Sequence, residues 1–119
     1  MILVSACQPW LHLDGYGISQ PIVSGGQAVI DAGKVAAPYP NLLAGHRSSH
    51  GSVFANLPNV AVGATFWTTG YQGKALQRWQ VVARRVVPDG TAMPIVGWPL
   101  VLQTSLVGNL NLLLFCQPA

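Results

Sequence analysis

The chain has 119 residues, half of them hydrophobic and only 8% charged, about a third of the ~25% usual in globular domains; that length and richness in apolar residues fit one domain with one closed core. The net charge of +3 reflects a shortage of acids (Asp14, Asp31 and Asp89, with no Glu) rather than a wealth of bases, and Lys34, Arg47, Lys74, Arg78, Arg84 and Arg85 form no basic stripe interleaved with aromatics, so nucleic acid is not an expected partner. With no apolar run of about 18 residues, no membrane-spanning helix is expected.

Thirteen Gly and nine Pro punctuate short apolar runs, a pattern that predicts an all-β barrel or sandwich over residues 1–119. The first nine residues are an apolar start. Within them Val4-Ser5-Ala6-Cys7 resembles a bacterial lipobox, which would make Cys7 a lipid attachment site. Only six residues precede it, short of a full signal peptide, so residues 1–7 are either the remnant of such a leader or a plain apolar strand. Cys7 and Cys116 could close a disulfide between the ends of the chain in an oxidising compartment, or be two unrelated thiols.

Trp10–Asp14 reads as a first strand, broken by Gly15-Tyr16-Gly17. Pro21-Ile22-Val23 is a second run, closed by Gly25-Gly26. Ala28–Asp31 follows, and Ala32-Gly33 is a turn signal. After Lys34–Ala37, Pro38 and Pro40 impose an extended link. Asn41–Gly45 is the strand that leads to His46. Ser52 is placed to cap a short helix over Val53–Leu57, with Phe54 and Leu57 facing inward together and Pro58 ending it. Ala64–Thr69 is rich in aromatic and β-branched residues and predicts a strand. Gly70–Lys74 is a hairpin-like loop. Leu76–Val87 is the longest strand candidate, with Trp79, Val81 and Ala83 on one face by period two. Residues 88–99, with Pro88, Pro94 and Pro99, form a loop long enough to suggest function or mobility. Trp98–Thr104 and Asn109–Cys116 are the last strands, joined by Leu106-Val107-Gly108.

Several of these segments, in this order, resemble the sortase family. Pro21-Ile22-Val23 and Ile30-Asp31-Ala32-Gly33-Lys34-Val35 look like its opening strands. Leu43-Ala44-Gly45-His46-Arg47 looks like its histidine motif, and Gly51, Phe54, Leu57, Val60 and Gly63 fit the helix and turn that follow. Val101-Leu102-Gln103-Thr104-Ser105 falls where the family has Thr-Leu-X-Thr-Cys. Asn109–Phe115 falls on the strand that opens with the family's arginine. The resemblance implies a single closed barrel of about eight strands with one or two short helices, located outside the cytoplasm at the cell envelope. It implies a transpeptidase in which Cys attacks the threonine carbonyl of a sorting signal such as Leu-Pro-X-Thr-Gly, and the acyl group passes to an amine. His acts as acid and base and Arg steadies the oxyanion. No cofactor is implied.

Three positions depart from the pattern. Ser105 stands for Cys, Asn111 (or Asn109 in a shifted register) for Arg, and Ala64 follows Gly63 where the family has Asp. A hydroxyl needs a well-aligned base where a thiol does not, and one lost oxyanion donor costs about 3 kcal/mol. Ser105 is thus a natural change in an inactive fold, a working nucleophile, or an engineered Cys→Ser replacement. The candidate catalytic residues are His46, Ser105 and Asn111. Arg47, Arg84 and Thr104 are candidates for substrate binding, and Arg84 or Arg85 could supply the missing cation. Cys116 is rejected as nucleophile, since no final strand would follow it. His12 and His50 could join His46 around a metal, but zinc is not expected, because no carboxylate or second Cys stands near in sequence. The rival function is a binding or assembly module that holds a peptide or protein in the groove without cutting it.

Overall fold

The computed structural model describes residues 8–92 and 94–119. Cys7, the candidate lipid site and one partner of the candidate disulfide, lies outside the described residues.

Eight strands close into one barrel in the order β1-β2-β3-β4-β7-β8-β6-β5. They are β1 (Trp10–Leu13), β2 (Ile18–Ser24), β3 (Val35–Tyr39), β4 (Leu42–Ala44), β5 (Thr65–Tyr71), β6 (Lys74–Pro88), β7 (Leu100–Leu106) and β8 (Leu110–Pro118). One short helix, α1 (Gln27–Asp31), and 3-10 turns at Asp14–Tyr16 and Leu57–Asn59 complete the regular structure. Six neighbouring pairs are antiparallel, whereas β2–β3 and β4–β7 are parallel. Closure removes the open edge that a sheet otherwise leaves for aggregation.

Alternation along the strands separates two apolar layers. The inner face of β7 and β8 (Leu100, Leu102, Leu112, Leu114 and Cys116) joins Leu11, Leu43, Phe66 and Trp79 in the main core. The buried Trp79 indole N–H is satisfied by the Thr68 hydroxyl at 2.9 Å, as burial of a polar group requires. The outer face of the same strands carries Val101, Leu113 and Phe115, which form a second cluster with Leu42 of β4 and Val87 of β6. The β6–β7 connection covers it, with the Trp98 ring 4.8 Å from that of Phe115. Asn41 holds this connection by donating its amide to the Ile95 and Trp98 carbonyls.

Two local expectations are corrected. Period two puts Ala83 on the face of Trp79 and Val81, yet Ala83 packs against the outer cluster. The register shifts between Val81, opposite Cys116, and Ala83, opposite Phe115. Such a bulge turns the rest of the strand over, which lets the far half of β6 cover the outside of β8. The helix expected over Val53–Leu57 does not form. Ser52 has φ +50°, which is not the extended backbone of an N-cap, and the only helical turn there is the 3-10 turn that contains Pro58. Phe54 and Leu57 are nevertheless both fully buried, so the inward-facing pair holds without the helix.

Candidate functional site

A groove of about 950 Å³ runs over the outer face of the barrel. Its floor is β4, β7 and β8, and its walls are α1, the Pro38–Pro40 link and the β6–β7 connection. His46, Ser105 and Asn111 all line it. The parallel pairing of β4 with β7, Ala44 opposite Gln103, brings these positions together, because it carries both strands toward the same end of the barrel. Two further bonds fix that junction: Gly45 N–H donates to the Gln103 carbonyl at 3.2 Å, and the buried Thr104 hydroxyl donates to the Gly45 carbonyl at 2.8 Å.

His46 stands just beyond β4 and is partly buried. Its carbonyl accepts from Phe54 N–H at 3.0 Å, which ties the loop to a core aromatic. Its Nε2 lies 2.8 Å from Asp31 Oδ1 at the end of α1. A carboxylate can only accept, so this contact places the imidazole proton on Nε2 and leaves Nδ1 as acceptor. Ser49 Oγ then donates to Nδ1 at 3.3 Å, and His50 Nδ1–H donates to Ser49 Oγ at 3.0 Å. The His46 and His50 rings stack with centroids 4.5 Å apart. Asp31 also accepts from Gln27 at 2.9 Å. The bonds from His46 and Gln27 hold its carboxyl below the ordinary value of 3.8.

Asp31 is the His46 partner that sequence reasoning passed over. It lies 15 positions before His46, and no local motif links the two. The expectation of no carboxylate near the histidines is therefore corrected by the fold. Ser49 is the hydroxyl within hydrogen-bond reach of His46 among the described residues.

The strand floor of the groove carries the other candidates. Ser105 is exposed near the end of β7 and faces Asn111 across the ladder. Asn111 is nearly buried and its amide is engaged at both ends: Oδ1 accepts from Gln103 at 2.9 Å and Nδ2 donates to Asp89 at 3.1 Å. No Lys or Arg lines the groove among the described residues.

The remaining candidates are placed as follows. Arg47 does not line the groove, but its Nε donates to the Ser105 carbonyl at 3.0 Å. Thr104 points into the barrel and meets Gly45, as it must when its strand neighbour Ser105 faces outward. Arg84 reaches away to the Pro58 carbonyl at 2.8 Å, and neither it nor Arg85 lines the groove. His12 sits on β1 against Thr69, apart from His46. Cys116 is buried, and desolvation pushes its thiol up to about 12, far from the range of a reactive thiolate.

No protein-family model matches the chain, and no curated protein matches it in sequence. Solved structures do match. A lid mutant of sortase A from Corynebacterium diphtheriae superposes with a TM-score of 0.81 at 18% identity, covering 94% of this chain and 69% of that one. Sortase C1 from Streptococcus agalactiae gives 0.80 at 17% identity, covering 94% and 67%. Sortase C-1 from Actinomyces oris gives 0.77 at 20% identity, covering 93% and 73%. The chain therefore spans roughly two thirds of the length of these proteins, and nearly all of its own length adopts the sortase fold.

Proposed function

We propose that this chain is a sortase-family protein of the cell envelope, acting outside the cytoplasm, whose groove holds a short extended peptide and whose Ser105 transfers an acyl group from it to an amine. The observation that carries this reading is that His46 and Ser105 line one groove, with His46 oriented by a carboxylate at 2.8 Å. An imidazole held in one tautomer by a carboxylate is the arrangement a serine nucleophile needs.

In this reading Ser105 Oγ attacks the peptide carbonyl, and its proton passes to His46 Nδ1, which the Ser49 hydroxyl must first release. His46 then gives that proton to the departing amine. The ester on Ser105 is released when an acceptor amine attacks and loses its proton to His46, which returns it to Ser105. Asn111 supplies the oxyanion donor through its second amide hydrogen. Arg47 positions Ser105 through the main chain. The donor is neutral and lies beside the Asp89 carboxylate, so turnover is slow, since one weakened oxyanion contact costs about 10²–10³ in rate.

The test is incubation with peptide libraries and an amine acceptor, read by mass spectrometry for an acyl adduct on Ser105. The adduct is expected in the parent and in Ser49→Ala, and absent in Ser105→Ala. Ser105→Cys combined with Asn111→Arg is expected to raise transfer by at least ~10²-fold. One observation favours a second reading, a module that binds a peptide or partner without cutting it: both ends of the Asn111 amide are already engaged. Peptide binding with no adduct, and no gain in the double variant, selects that reading.

A further inference from the structure

Beside the groove, the geometry points to a binding site for a divalent transition ion, zinc first, formed by Asp31, His46 and His50. One ligand atom from each of these residues lies within 4.8 Å of the others. The Asp31–His46 separation is 2.8 Å, and an ion there displaces the proton from His46 Nε2 and opens this contact by about 0.5 Å. Tetrahedral zinc with bonds of about 2.0–2.1 Å needs donors about 3.3 Å apart, so the widest gap closes by about 1.5 Å at most. Asp31 and His50 are exposed and His46 is only partly buried, so the adjustment falls on side chains at the surface, with the His50 ring turning out of its stack on His46. The site stands independently of whether Ser105 reacts.

The donor set selects the ion. Two imidazoles and one carboxylate suit zinc, copper or nickel, whereas calcium and magnesium prefer oxygen alone. Three protein ligands leave a fourth position for water.

The scaffold beneath the donors is built for close approach. Gly33 follows Asp31 by two positions and Gly51 follows His50 by one. A Cβ on Gly33 would meet the His50 carbonyl oxygen at 2.6 Å, and one on Gly51 would meet the Gly33 carbonyl oxygen at 3.2 Å. Both glycines have positive φ, +82° and +87°. Two turns distant in sequence therefore cross backbone against backbone, and their flanking donors converge over the crossing. The Ser49 hydroxyl bridges the two histidines from below. An ion held there occupies the His46 ring, so metal binding and proton transfer by His46 are alternative uses of one side chain.

The experiment is a calorimetric titration of the tag-free full chain with zinc chloride, in a Cys7→Ser background that leaves Cys116, buried in the core, as the one remaining thiol. One ion per chain is expected. His50→Ala and Asp31→Asn are each expected to weaken binding at least ~10-fold, with folding checked by circular dichroism. His12→Ala, which alters a histidine on the other side of α1 in sequence and outside the cluster, is expected to bind like the parent. Absence of saturable binding at one ion per chain overturns the site. So does parent-like affinity in both His50→Ala and Asp31→Asn, or an equal loss in His12→Ala.

Discussion

The imidazole cluster beside the groove and the strand floor beneath it, the two walls of the site, are built on different physical principles. The imidazole wall stands on the end of α1 and on the turn after β4. Its side chains are polar and largely exposed, and they are oriented by one another through Asp31, His46, Ser49 and His50. The strand wall stands on a hydrogen-bonded ladder, with Asn111 nearly buried and locked between Gln103 and Asp89. The first wall holds what proton transfer and metal binding need, lone pairs and a carboxylate within reach of water. The second holds a rigid floor with a single exposed hydroxyl. The chemistry of the groove is thus concentrated on the less regular side, and its register on the more regular one.

The largest effect expected from breaking this contrast comes from Phe54→Ala. Phe54 is fully buried, so the substitution removes core volume beneath the loop that carries His46, while the backbone N–H of residue 54 still holds the His46 carbonyl. A loss of about 3–5 kcal/mol is expected in urea unfolding. Next comes Gly33→Ala, which forces a side chain against the His50 carbonyl at a positive φ. The strain of the left-handed backbone and of the close contact sum to about 2–3 kcal/mol, and zinc affinity is expected to fall with stability. Thr104→Val then probes the seam between the walls. It leaves the buried Gly45 carbonyl without its hydroxyl partner, and a loss of about 1–2 kcal/mol is expected.

The smallest effect is a pH dependence. The Asp31 carboxyl is held below its ordinary value in the folded chain, so its contribution to stability is fully present above the unfolded carboxylate range. It is lost as pH falls through the lowered folded value. Asp31 is exposed, and solvent screening keeps the contribution small. The stability difference between the parent and Asp31→Asn is expected to be flat above about pH 5 and to close below about pH 4, as measured by thermal unfolding across that range.

Much of the barrel was legible before any coordinates. Short apolar runs between Gly and Pro mark the strands, whereas the inward positions of Leu100, Leu102, Leu112 and Leu114 do not follow from alternation, because the other face of the same strands, Val101, Leu113 and Phe115, is also apolar and buried. The same alternation contained an unused signal: Thr104 and Ser105 are neighbours on one strand, so only one of them can face the groove. The bulge at Val82 was not legible, because the extra residue is defined by the partner strand rather than by β6 itself. Nor was the missing helix at Val53–Leu57, where packing of Phe54 and Leu57 overrode a plausible cap.

By itself the sequence determined the strand periodicities, the placement of His46 after one strand and of Ser105 near the end of another, and the scarcity of charge. These are properties of neighbouring residues, and one dimension is enough to carry them. Only the tertiary structure decided that His46 and Ser105 share a groove, that Asp31 orients the imidazole, that Asn111 is tied to Asp89, and that Arg84 turns away. Those outcomes depend on the parallel pairing of β4 with β7 and on two glycine turns crossing, contacts between segments far apart in sequence that exist only once the barrel has closed.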